Sequence, residues 1–215
     1  MVCRGERWYN KHGVIYMCGR YVLFSDPELA EIREIIEEVQ RKNPEIKTGE
    51  IFPTNSAPVL LQENGKLMPE AVKWGFPKFN KKGVIVNARG ETAPEKPMFR
   101  RSLETKRCII PSCGFYEWSH DGGPKTKYQF NLPEEGALYM AGLYNDFAGE
   151  CRFVILTANA NESLRGIHDR MPVVLTRQEM DQWINSYQGA LDILQSSRPA
   201  PVSYTHLRAH ETAAN

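Results

Sequence analysis

Between Asp26 and Pro44 the apolar residues recur three and four positions apart. Leu29, Ile32, Ile35, Ile36 and Val39 fall on one stripe of a helix, with charged residues around the rest of its circumference. Asp26 suits the cap of that helix and Pro27 its first turn, and Asn43-Pro44 ends it. A second helix opens at Thr176, where Thr176-Arg177-Gln178-Glu179 has the form of a capping box. Met180, Trp183 and Ile184 supply its buried face. A short helical turn is expected over 162–166. Elsewhere the pattern shifts toward short β-branched and aromatic runs, which predict strands at 59–61, 84–86, 107–110, 128–132, 138–144, 152–156 and 173–175. Many short strands with few helices predict an α+β domain, its mostly antiparallel or mixed sheet curled into a barrel-like core with a few flanking helices. No repeat, low-complexity linker or shift in composition divides it, so a single domain is expected over 17–204.

Composition narrows the setting more than the fold. Of 215 residues, 41% are hydrophobic and 10% aromatic, enough for an ordinary core. No apolar run approaches the roughly 20 residues of a membrane span, and residues 1–16 lack the apolar centre of a secretory signal. No membrane association and a cytoplasmic location are therefore expected. Five cysteines (Cys3, Cys18, Cys108, Cys113, Cys151) form no CxxC pair and suggest neither a disulfide framework nor a zinc site. The formal net charge of +1 does not announce a nucleic-acid binder, although a local basic groove remains open. Both ends differ from the rest. Residues 1–16 have no clear periodicity and precede a plausible start at Met17, as upstream sequence or a propeptide. Residues 205–215 form an anomalous tail, resembling translated adaptor sequence. His206 and His210 there have helical spacing but no evident third ligand, so no metal is expected.

Met17-Cys18-Gly19-Arg20 carries the most chemistry. If Cys18 becomes the first residue, it holds an α-amine of pKa roughly 8 beside a thiol. Such an amine attacks an aldehyde to give a Schiff base, and the thiol then closes onto the same carbon as a thiazolidine ring. An internal cysteine cannot do this, because its nitrogen is an amide. The plain alternative is a small buried hydrophobe.

Three further segments set polar residues beside Gly, Pro or aromatics at strand ends: Asn87-Ala88-Arg89-Gly90-Glu91-Thr92, Gly114-Phe115-Tyr116-Glu117-Trp118 and Ile167-His168-Asp169-Arg170-Met171-Pro172. Thr54-Asn55-Ser56-Ala57-Pro58, Trp74-Gly75-Phe76 and Pro201-Val202-Ser203 lie between and after them. Taken in order from Met17 to about Ser203, these segments resemble the SRAP family, the SOS response-associated peptidases, also described as abasic site processing proteins.

The resemblance implies the family's fold and a covalent sensor of DNA damage. Such a protein binds single-stranded DNA and crosslinks to abasic sites through an N-terminal cysteine, without a cofactor, as a cytoplasmic monomer found at the nucleoid when on DNA. Carried over residue by residue, Cys18 supplies amine and thiol. Asn87 positions the N-terminus and the sugar. Glu117 takes the amine proton and assists dehydration, with Phe115 and Trp118 expected to bury it. His168 shuttles a proton at the opened sugar oxygen. Arg20, Arg89 and Arg170 each follow a proposed catalytic residue by two, which on a strand returns them to the same face for phosphate contact. With Asn55 they form the expected DNA-binding set, and Trp74, Phe76 and Trp118 are candidates for stacking on bases.

Each assignment has a plainer rival. Glu117 can be a solvated strand residue, His168-Asp169-Arg170 an ion-pair turn, Asn87 a turn residue and Trp74 part of the core. Two other functions also compete. One is a self-processing cysteine peptidase that cleaves before Cys18, with hydrolase or lyase chemistry from Glu117 and His168. The other is a non-covalent reader of damaged or modified DNA.

Overall fold

A computed structural model describes residues 19–79, 81–119, 126–132 and 136–196, together with the backbone of 203–207. Cys18, the segment before it and the chain end from 208 lie outside the described residues.

The first half of the chain runs β1 (Arg20–Leu23), α1 (Ala30–Lys42), β2 (Gly49–Ile51), β3 (Ser56–Glu63), β4 (Lys66–Trp74), β5 (Phe76–Pro77), β6 (Val84–Ile85), β7 (Asn87–Arg89) and α2 (Pro97–Thr105). The second half runs β8 (Arg107–Ser112), β9 (Gly114–Trp118), β10 (Lys127–Asn131), β11 (Leu138–Phe147), β12 (Glu150–Asn159), α3 (Glu162–Arg165), β13 (Arg170–Pro172), β14 (Val174–Leu175), α4 (Arg177–Asn185), α5 (Tyr187–Gln195) and β15 (Ser203–Leu207).

Five strands close into a barrel. β12 pairs with β4 in parallel, and the ring continues antiparallel through β3, β8 and β11 back to β12. Closure removes the open edges that such a sheet would otherwise expose. β7 and β13 extend the C-terminal half of β12 on its two sides. α1 packs on β3 and β4, α2 on β8 and β11, and α4 on β8 and β14. The fold is thus α+β with a barrel core and flanking helices. A second, wholly antiparallel sheet is ordered β15-β10-β9-β1-β2.

Trp74 marks where the two sheets meet. It is fully buried, stacks on Phe153 of β12 at 6.0 Å and takes Tyr21 of β1 edge-on at 5.3 Å. Its indole N–H donates to the Val86 carbonyl at 3.0 Å, so its polar atom is satisfied inside the core. The turn after it requires glycine. Gly75 has φ +110°, and a Cβ there would sit 2.8 Å from the side chain of Val84.

The expected helices form with shifted edges. α1 begins at Ala30, and Asp26 instead folds the preceding turn, accepting from the Glu28 N–H at 2.9 Å. Its stripe of Ile32, Ile35, Ile36 and Val39 is buried. α4 carries both halves of its capping box and buries Met180, Trp183 and Ile184. β4 escapes the strand pattern because of Pro69. Pro69 lies opposite Leu60 of β3, while the pairing of β4 with β12 is confined to Lys73 and Trp74, so no second ladder needs its missing N–H. β15 crosses the expected start of the anomalous tail at 205, with Thr205, His206 and Leu207 in register with β10.

Candidate functional site

Glu117 is placed by strand alternation. In β9, Phe115 and Glu117 point to the face opposite Tyr116 and Trp118. Phe115 is fully buried, and Glu117 beside it is only 3% exposed. β9 pairs with β1 through Arg20↔Tyr116 and Tyr21↔Phe115; the same register continued by one residue sets Gly19 opposite Glu117.

His168 reaches the same place from the barrel sheet. The turn α3 ends with the His168 N–H donating to the Leu164 carbonyl at 2.9 Å, which aims the residue before β13 inward. Its Nδ1 accepts from the Arg170 backbone N–H at 3.1 Å. That bond assigns the proton of the neutral ring to Nε2. Nε2 lies 4.0 Å from Glu117 Oε2, and both residues are buried. A carboxyl and an imidazole, brought from two sheets and from positions 51 residues apart in the chain, thus face each other in a water-poor setting. Such a pair can take up and return protons. Asn87 opens β7 and lies opposite Ile155 of β12, while β13 pairs with 157–159 of the same strand. The strand β12 therefore carries both Asn87 and the segment of His168 on its flanks.

The arginines separate into three environments. Arg89 is exposed at the end of β7. Arg20 is half-buried, 3.2 Å from Glu50 and stacked between Phe52 at 4.6 Å and Trp118 at 4.9 Å. Arg170 is buried and its terminal nitrogens are engaged. They bond Glu91 at 2.5 and 2.8 Å, Asn159 Oδ1 at 2.7 Å and the Thr157 carbonyl at 2.7 Å. The donor fork that the resemblance assigns to a phosphate is thus taken up by partners inside the protein. The spacing argument fails there because His168 is not on a strand. Desolvation pushes the Glu91 carboxyl up, but the Arg170 hydrogen bonds and charge outweigh it and hold Glu91 below its ordinary value.

Three other residues of the expected DNA-contacting set are also engaged within the fold. Trp74 and Phe76 are fully buried, so neither presents a face to a base. Asn55 Oδ1 accepts from the Phe52 N–H at 2.9 Å, and its backbone carbonyl accepts from the Trp74 N–H, fixing the turn into β3. Trp118 is half-buried beside Arg20 and Lys127. Cys18 lies outside the described residues.

Other residues that carry no sequence signal are also accessible. Lys127 of β10 sits 3.8 Å above the ring of Tyr116 and 2.8 Å from Glu50. Burial, with Glu50 nearby, pushes the Tyr116 phenol up. Phe79, between β5 and β6, is 84% exposed and flanked in sequence by Lys78, Lys81 and Lys82. Among the described residues no cluster of three or more His, Cys, Asp or Glu could hold a metal ion, and no helix is long and apolar enough to cross a membrane.

A sequence model of the family described as SOS response associated peptidase (SRAP) matches residues 17–214. The abasic site processing protein YoqW of Bacillus subtilis is 38% identical over 200 residues, covering 84% of this chain and 85% of its own. YedK of Escherichia coli, also named an abasic site processing protein, is 30% identical over 176 residues, covering 78% and 79%. A crystal structure from Bacteroides thetaiotaomicron shares the fold, with a TM-score of 0.71 at 23% identity over 89% of this chain and 93% of that one.

Proposed function

The chain belongs to the SOS response associated peptidase (SRAP) family, and from that premise we propose that it binds single-stranded DNA and joins itself to abasic sites through Cys18. The reading requires Cys18 to be the first residue of the active protein. An abasic deoxyribose exists partly as an open-chain aldehyde. The Cys18 amine adds to that carbon, the carbinolamine loses one water to give a Schiff base, and the thiol adds across the C=N bond. The thiol proton ends on the ring nitrogen, so the closed thiazolidine differs from the two reactants by one water.

The observation that carries this reading is the buried Glu117–His168 pair beside the start of β1. Chain connectivity keeps Cys18 one peptide bond, about 3.8 Å from Cα to Cα, from Gly19, and the β1–β9 register runs toward Glu117. Glu117 accepts the amine proton and returns it to the departing hydroxyl. His168, with its proton on Nε2, serves the opened sugar oxygen. Asn87 orients the reacting groups by hydrogen bonds. Exposed Arg89 pairs with phosphate, and Phe79 among its lysines supplies the aromatic and cationic surface on which single strands stack.

Intact mass after incubation with an abasic single-stranded oligonucleotide tests the proposal. The expected product has the summed masses less one water and survives denaturation without borohydride. An equal yield of the same product from Cys18→Ala refutes it.

A further inference from the structure

The outer face of the second sheet carries a cluster that the crosslinking chemistry does not use. Arg20, Tyr116, Trp118 and Lys127 project from β1, β9 and β10 on one side, and Glu50 of β2 reaches across them. One carboxylate oxygen, Glu50 Oε1, takes both cations, Arg20 at 3.2 Å and Lys127 at 2.8 Å. Each cation also lies over aromatic rings: Arg20 over Phe52 and Trp118, Lys127 over Tyr116. The three charged side chains are each about 30% exposed, so an anion from solvent can reach them.

The bridge is long for what it joins. β2 and β10 are separated by β1 and β9, three strand spacings or about 14 Å of sheet. Glu50 and Lys127 meet only by extending along the face and closing over Tyr116. Two extended, partly solvated side chains lose conformational freedom for one screened contact, which leaves the bridge easy to displace. Among the described residues of this cluster, two cations against one carboxylate also leave one positive charge uncompensated.

We propose that Arg20 and Lys127 form a phosphodiester subsite for single-stranded DNA on this outer face, and that Glu50 is its resident anion, which a DNA phosphate must displace. A phosphodiester shares its single negative charge over two non-bridging oxygens, one for each cation, where Glu50 engages both through Oε1, and the aromatic floor holds both cations in place during the exchange. Glu50 thereby sets specificity. It weakens binding to any polyanion, so that stable occupancy depends on the remaining contacts and on covalent capture at Cys18, two residues from Arg20 in the chain. The inference rests on the single-strand reading above.

The test measures binding of an intact, abasic-free single-stranded oligonucleotide across a salt series, for the wild type, Glu50→Gln, Lys127→Met and the double variant. Glu50→Gln binds about 1.5- to fivefold tighter at low salt, the range for removing one partly exposed charge interaction, and its advantage shrinks as salt rises. Lys127→Met binds more weakly, with a log–log salt slope flatter by about 0.7, as for one lost single-strand phosphate contact. In the Lys127→Met background the gain from Glu50→Gln falls, because the displaced anion then guards a single cation. Unchanged or weaker binding by Glu50→Gln, with the wild type binding normally and both proteins melting alike, overturns the inference alone. An equal gain with and without Lys127 also overturns it. A wild type that does not bind the oligonucleotide overturns the single-strand reading and this inference with it.

Discussion

Replacing Arg170 by methionine separates a structural cation from a DNA contact. The substitution keeps an unbranched apolar stem out to about the position of Nε and removes every donor. Four hydrogen bonds of 2.5–2.8 Å are lost, to Glu91, Asn159 and Thr157. The Glu91 carboxylate is about half exposed, whereas the Arg170 side chain is 7% exposed. Solvent therefore recovers much of what Glu91 loses, and the full 3–5 kcal/mol of a broken buried pair does not apply. Of the four, only the bond to the Thr157 carbonyl is buried, since Asn159 is exposed as Glu91 is, and a bond from a charged donor is worth about 1.5–3 kcal/mol. Against this, Arg170 Nε is buried without a partner among the described residues, and methionine relieves that desolvation cost. The balance is a loss of about 2–3 kcal/mol, or about 4–12 °C in Tm for a domain of this size. Because the folded-state pKa of Glu91 is depressed, the contribution of this ion pair is present above its ordinary value of 4.5 and is lost as pH falls below it. The gap in Tm between wild type and variant should therefore narrow in that acid range. Thermal unfolding between pH 3 and 7, paired with the salt dependence of oligonucleotide binding well below Tm, measures both effects. The salt slope should stay that of the wild type. A variant that melts with the wild type and has a flatter slope refutes the structural assignment and restores Arg170 to the DNA surface.

Arg89→Ala, at an exposed position, should do the reverse, leaving Tm near the wild type and flattening the single-strand salt slope by about 0.7. Cys18→Ala should abolish denaturation-resistant crosslinks, whereas Cys18→Ser should leave a transient Schiff base trapped only by borohydride; Cys108, Cys113 and Cys151 should each be dispensable for the chemistry in the same gel assay. Glu117→Gln and His168→Ala should slow single-turnover crosslinking by about 10²–10⁴-fold while intact-DNA binding persists, and rates equal to the wild type remove both residues from the mechanism. Arg107→Met should lower Tm, because its guanidinium donates to the carbonyls of Leu103, Glu104, Trp183 and Ile184 and so ties together the C-terminal ends of α2 and α4; an unchanged Tm by calorimetry would show those carbonyls to be otherwise satisfied.

What could be read from the chain alone follows the range of the interaction. The stripe of α1 and the capping box of α4 are local, and both form as the pattern predicts. α5 is harder to see because Gly189 interrupts it. A Cβ there would sit 2.4 Å from Gln182 of α4, so the glycine serves a helix–helix approach rather than a break. The same division runs through the candidate site. Residue types were legible from short motifs, but their partners were not. Glu117 and His168 are 51 residues apart, Arg170 and Glu91 are 79 apart, and Lys127 and Glu50 are 77 apart. Three arginines with the same spacing from a motif residue therefore have three different fates. Arg89 stays in solvent, Arg20 shares a carboxylate on an open face, and Arg170 is drawn inward because Thr157, Asn159 and Glu91 converge on it once β7 and β13 flank β12. Sheet closure decides which cations remain available to a phosphate, so a charge motif on this fold indicates a DNA contact only after its acceptors have been counted.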